Sequence, residues 1–169
     1  MSGSAFSTTA AARPKTVLER TYRASVEELW ELWTTKEGFE SWWGPDGFRV
    51  EVYTFDARPG GALHYDMIAD APEAIAAMKR LGRPSSHETH GRFTEVHPYD
   101  RLAITHLIDF LPEVTPYEST MVAEFFPRGD SVRLVITLEA MHDEGFTRMS
   151  MLGMTSQLTK LDKRFAKAV

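Results

Sequence analysis

No cysteine occurs among the 169 residues, and that one absence removes disulfides, thiolate metal sites and cysteine nucleophiles together. It suits a reducing, cytoplasmic location, which is the one expected. No apolar run approaches the ~18 residues that a helix needs to cross a bilayer, so no membrane partner is expected. Met1 to Pro14 has neither a basic start nor an apolar stretch; it reads as a disordered leader rather than a secretory signal. Clustered positive charge is also missing. With a net charge of −5 and a pI near 5.7, no nucleic-acid partner is expected, because counterion release from phosphates needs grouped Lys and Arg. Only the end of the chain gathers several, Lys160, Lys163, Arg164 and Lys167, where cations oppose the negative end of a helix dipole.

What is present alternates between strand and turn chemistry. Val17 to Arg23 reads as a strand, and Ser25 with Glu28 forms a capping box for a helix whose Val26, Leu29, Trp30 and Trp33 share one face. A second short helix carries Phe39, Trp42 and Trp43 and stops at Gly44-Pro45. Three hairpins follow, turning at Arg58 to Gly61, His97 to Asp100 and Pro127 to Asp130. Between the third and fourth strands, residues 70–83 read as a helical insertion capped by Asp70, with Pro72 in its first turn and Gly82 and Pro84 at its end. A long helix from about Glu144 to Ala168 closes the chain, with a stripe of Met154, Leu158, Leu161 and Phe165. The expectation is an α+β fold, one domain over 15–169. A seven-stranded antiparallel sheet curves around the last helix, the only element long enough to cover its apolar face.

Four segments carry a family resemblance: Trp42-Trp43-Gly44-Pro45, the turn Asp56 to Gly61, Gly91-Arg92-Phe93, and Gly153-Met154 with Gln157-Leu158. Over about Thr16 to Phe165 the chain resembles the activator-of-heat-shock-protein-ATPase-like branch of the START superfamily. The resemblance implies the helix-grip fold. It does not choose among small-molecule binders, polyketide cyclase-like proteins and chaperone regulators.

A bent sheet gripping one helix leaves room between them, and the candidate site lies there. Phe146, Met149 and Gly153 mark the less bulky face of the last helix. Trp42 or Phe55 would supply an aromatic wall, although the paired tryptophans equally suit plain core packing. His106 interrupts an apolar row of Leu102, Ile104 and Ile108, which makes it either a satisfied core histidine or a pocket group. His64, His90 and Arg92 lie on strands that a meander sets beside it, and at least one of them is expected to share the cavity. Seven internal methionines suit an adaptable site as well as a loosely shaped core.

Two other motifs are set aside. Asp56 and Arg58 fix a tight turn, with Gly60 and Gly61 supplying the backbone freedom. His87-Glu88-Thr89-His90 resembles a zinc-protease motif, but its histidines are three apart on a strand and point to opposite faces. No metal and no cofactor is expected. The expected function is non-enzymatic binding of a small apolar molecule. The alternatives are a cyclase- or hydrolase-like enzyme using a pocket histidine, with Asp66 beside His64 as the only orienting carboxylate, and a chaperone-ATPase regulator acting by protein contact. Monomer and homodimer both stay open.

Overall fold

The computed structural model describes residues 14–109 and 111–166. The expected leader (bar Pro14) and the last residues of the expected final helix lie outside the described residues.

Strand β1 (Lys15–Tyr22) leads into helices α1 (Val26–Thr34) and α2 (Lys36–Glu40). Strands β2 (Phe48–Phe55) and β3 (Ala62–Ala69) form the first hairpin, and α3 (Pro72–Arg80) is the insertion. Then come β4 (Ser86–His97), β5 (Arg101–Ile108), β6 (Tyr117–Arg128), β7 (Ser131–Glu139) and the closing helix α4 (Glu144–Ala166). The seven strands form one antiparallel sheet in the order β1-β7-β6-β5-β4-β3-β2. Every sequential hairpin is paired, and β1 returns to close on β7. This is the α+β, helix-grip architecture expected.

Local chemistry explains the elements. Ser25 caps α1, its hydroxyl accepting from the Glu28 amide at 3.1 Å. The insertion begins one residue later than expected. Ala71 occupies the N-cap position without a side-chain bond, and Asp70 instead pairs with Arg49. The Gly47 carbonyl accepts from both the Asp70 and Ala71 amides, which ties the helix start to the sheet edge. At the first hairpin Arg58 bonds Asp56 at 2.9 Å, and a Cβ on Gly61 would lie 1.9 Å from the Asp56 carbonyl oxygen. The turn needs glycine there.

The core lies between the inner sheet face and α1, α2 and the C-terminal half of α4. Leu29, Trp33, Phe39, Trp42, Phe93, Phe125 and Leu158 are all essentially inaccessible. Burying a Phe or Leu side chain of this kind contributes roughly 1.5–3 kcal/mol. Three residues on α4 pin that half to the loop after α2 and to the start of β2. Gln157 accepts from the Gly44 amide at 2.7 Å, Ser156 accepts from the Asp46 amide at 2.8 Å, and Lys160 donates to the Phe48 carbonyl at 2.8 Å. Tyr22 on β1 donates to Asp162 at 2.8 Å. Among the described residues, the half of α4 before Gly153 has no comparable hydrogen bond to the sheet.

Candidate functional site

The space left between that first half of α4 and the sheet is a cavity of about 280 Å³. Its walls are mostly apolar: Trp43, Met67, Ile108, Met121, Leu138 and Met154, with Gly153 overhead. Two glycines make the room. A Cβ on Gly153 would meet nothing within 4 Å. On the opposite wall Gly91 is the partner of His106 across β4 and β5, and a Cβ there would come within 3.3 Å of the His106 ring. The imidazole sits in the space that a side chain at 91 would otherwise take.

A short polar chain crosses one wall. Trp43 Nε1 donates to the Tyr65 hydroxyl at 3.0 Å, and that hydroxyl lies 3.1 Å from His106 Nε2. An indole N–H can only donate, so the phenol oxygen accepts from Trp43 and its proton is available to the imidazole. Burial alone lowers the His106 pKa from 6.5 to about 4, so the ring is neutral across the physiological range. Burial also pushes the Tyr65 phenol up, keeping it protonated. Thr89 and Gln157 are buried at the same cavity. These groups offer neutral hydrogen bonds; among the described residues no lysine or arginine lines this space, and the Glu139 carboxylate there accepts from the Thr120 amide at 2.8 Å.

The cavity shares Pro45, Met67, His87, Met141 and Ser150 with a second, wider hollow of about 700 Å³, an outer one in that exposed Leu81 and Met149 line it. Met78 of α3 and Leu81 just past its end, Leu111 and Pro112 of the β5–β6 loop, and Phe146 and Met149 of α4 surround it. Arg83 and His87 also stand there; the His87 pKa is lowered, first by burial and then by Arg83.

The expected site residues separate into three groups. His106 and Gly153 line the inner cavity, while Phe146 and Met149 line the outer hollow. Trp42 and Phe55 line neither. Trp42 is core, packed on Trp33 with its Nε1 donating to the Leu32 carbonyl at 2.9 Å, and Phe55 packs against Phe39 and Phe93. His64, His90 and Arg92 belong to the outer sheet face, turned away from the cavity. Pleating is the reason: Leu63 and Tyr65 point inward, so His64 between them points outward, and the same parity sends His90 and Arg92 out while Thr89 and Phe93 face in. Arg92 there holds Glu118 at 2.5 Å. Asp66 faces outward as well, bonded by the Tyr53 hydroxyl at 2.6 Å, and orients no cavity histidine. His87 and His90 diverge as their spacing requires: His87 reaches the cavity and His90 the outer face.

The residues missed were Trp43, Tyr65, His87, Thr89 and Gln157. Alternation along Leu63-His64-Tyr65-Asp66-Met67 carried the signal for Tyr65. Nothing comparable separates Trp43 from Trp42, since both lie past the end of α2, where helical spacing has stopped.

A curved seven-stranded antiparallel sheet around one long helix, with a cavity between them, defines a START-like helix-grip protein. Residues 23–166 match the model of the family described as activator of Hsp90 ATPase homolog 1-like protein, and the chain belongs to that family. A crystal structure of a Chromobacterium violaceum protein is similar at TM-score 0.72 and 22% identity, covering 89% of this chain and 96% of its own. The AHSA1 protein of Silicibacter pomeroyi is similar at TM-score 0.70 and 22% identity, covering 90% of this chain and 98% of its own. A solution structure of an Arthrobacter aurescens protein reaches TM-score 0.71 at 18% identity, covering 92% of this chain and 87% of its own. At such identities the likeness speaks for the fold. No curated protein matches the chain. No helix among the described residues is long and apolar enough to cross a membrane.

Proposed function

We propose that this protein binds a small, largely apolar molecule with one neutral oxygen-bearing head, without transforming it. The observation that carries the reading is the Trp43–Tyr65–His106 chain, set in the wall of a mostly apolar cavity. Apolar walls supply affinity through buried area, and a few fixed polar groups supply orientation. A neutral imidazole and a protonated phenol suit a hydroxyl or carbonyl. A carboxylate head would be desolvated without a cation beside it, since Arg83 lines the outer hollow and not the inner cavity. The catalytic alternative has less behind it. Its histidine contacts a phenol rather than an orienting carboxylate, and its pKa of about 4 makes it a weak base at neutral pH.

Native mass spectrometry of gently purified protein should show a bound small molecule. Tyr65→Phe should lose more than about tenfold in affinity for it, because a buried polar group on the ligand or on His106 is then left unpaired. A ligand bound as tightly by Tyr65→Phe as by the wild type, or one turned over to product, would overturn the reading.

A further inference from the structure

The outer face of the sheet carries a second arrangement that the cavity does not use. His64 and His90 are direct partners across β3 and β4, in a register where Asp66 and Glu88 form the next same-face pair. Their imidazoles stack with centroids 4.2 Å apart and planes 12° from parallel. Glu88 is diagonal to His64, and its Oε2 lies 3.3 Å from His64 Nε2. One ligand atom from each of His64, Glu88 and His90 lies within 4.8 Å of the others.

We propose that His64, His90 and Glu88 form a binding site for a late first-row divalent metal ion. Two ligands at about 2.1 Å from one ion stand roughly 3.0–3.5 Å apart, and the His64–Glu88 separation is already of that size. A ring nitrogen of His90 lies within 4.8 Å of the ligand atoms of His64 and Glu88, a gap that side-chain rotation closes onto one ion. The backbone needs no change, since both strands lie inside the sheet, flanked by β2 and β5. Ligands on such strands are more exactly placed than ligands on loops. The motif His87-Glu88-Thr89-His90 is no chelate along its own strand; the second histidine comes instead from the strand next door. Two imidazole nitrogens and one carboxylate oxygen select Zn²⁺, Co²⁺, Ni²⁺ or Cu²⁺ over Mg²⁺ and Ca²⁺, which prefer all-oxygen sets. His90 and Glu88 are exposed, so the remaining coordination positions face solvent and would take water or a ligand from outside.

The test is Zn²⁺ titration of the full chain, stripped with chelator, by isothermal calorimetry at pH 7.5 in millimolar Mg²⁺. One equivalent should bind, and the side-chain NMR signals of His64 and His90 should shift together. His64→Ala, His90→Ala and Glu88→Gln should each weaken binding by more than about tenfold. His97→Ala and His142→Ala, at histidines elsewhere on the molecule, should leave it unchanged. All five substitutions change partly or fully exposed side chains, and each variant's thermal melt in chelator reports its fold; Glu88→Gln, the most conservative, carries the test if a histidine variant misfolds. Failure of wild-type protein to bind Zn²⁺ saturably at about 100 µM would overturn the site. So would binding that survives His64→Ala and His90→Ala but is lost in His97→Ala or His142→Ala.

Discussion

Between pH 6.5 and about 4, His106 is protonated in the unfolded chain but not in the folded one. The folded state binds fewer protons over that window, so stability should fall as pH drops through it and stay flat above it. His87, also lowered by burial, adds a slope of the same sign. His106→Gln keeps an acceptor for Tyr65 and removes the titration. Chemical denaturation across the window should therefore show a shallower pH slope for the variant, the difference approaching but not exceeding about 1.4 kcal/mol per pH unit. Equal slopes for the two proteins would mean that His106 reaches bulk water. At this scale the sequence was readable in one respect and misread in another. His106 stood out because a polar group broke an apolar row. The expectation that at least one of His64, His90 and Arg92 shares the cavity follows their chemistry, whereas strict alternation around Leu63, Tyr65 and Phe93 sends all three outward.

At the scale of the element, α4 divides at Gly153. Beyond it, Met154, Gln157, Leu158 and Leu161 are buried, and the bonds from Ser156, Gln157 and Lys160 hold the helix to the loop after α2 and to the start of β2. Before it, Met149 and Leu152 are exposed and the helix roofs the cavity. Both the stripe and the less bulky face were legible from spacing. The anchoring bonds were not, because they join residues more than 100 positions apart through backbone amides. Gly153→Leu should place a side chain in the empty space rather than overpack a core. A leucine at 153 also has higher helix propensity than glycine, by close to 1 kcal/mol. Thermal melts should show the variant as stable as the wild type or slightly more so, with the ligand-induced shift largely abolished. Outright unfolding of Gly153→Leu would mean that the space is solid core.

For the whole molecule the question is how a ligand reaches a cavity lined by buried Trp43 and Met154. The outer hollow answers it by position: α3, the β5–β6 loop and the start of α4 converge there from three parts of the chain. α3 has no buried residue, so it can shift without opening the core. Leu81, at its C-cap, is 64% exposed, and Met149 across the hollow on α4 is 57% exposed. Apolar side chains left in water at the rim of a cavity suit transient contact with an apolar ligand on its way inward. A charge placed there should act on the rate of passage more than on the bound state. Met149→Glu should change stability by no more than about 0.5 kcal/mol, as exposed sites generally do. It should slow ligand association and dissociation together, because a desolvated carboxylate must be passed in both directions, and so leave the equilibrium affinity nearly unchanged. Stopped-flow tryptophan fluorescence can follow this, since Trp43 lines the inner cavity. Gly153→Leu provides the contrast, losing affinity at equilibrium. If Met149→Glu binds and releases at wild-type rates, the ligand passes elsewhere and the outer hollow is not its path.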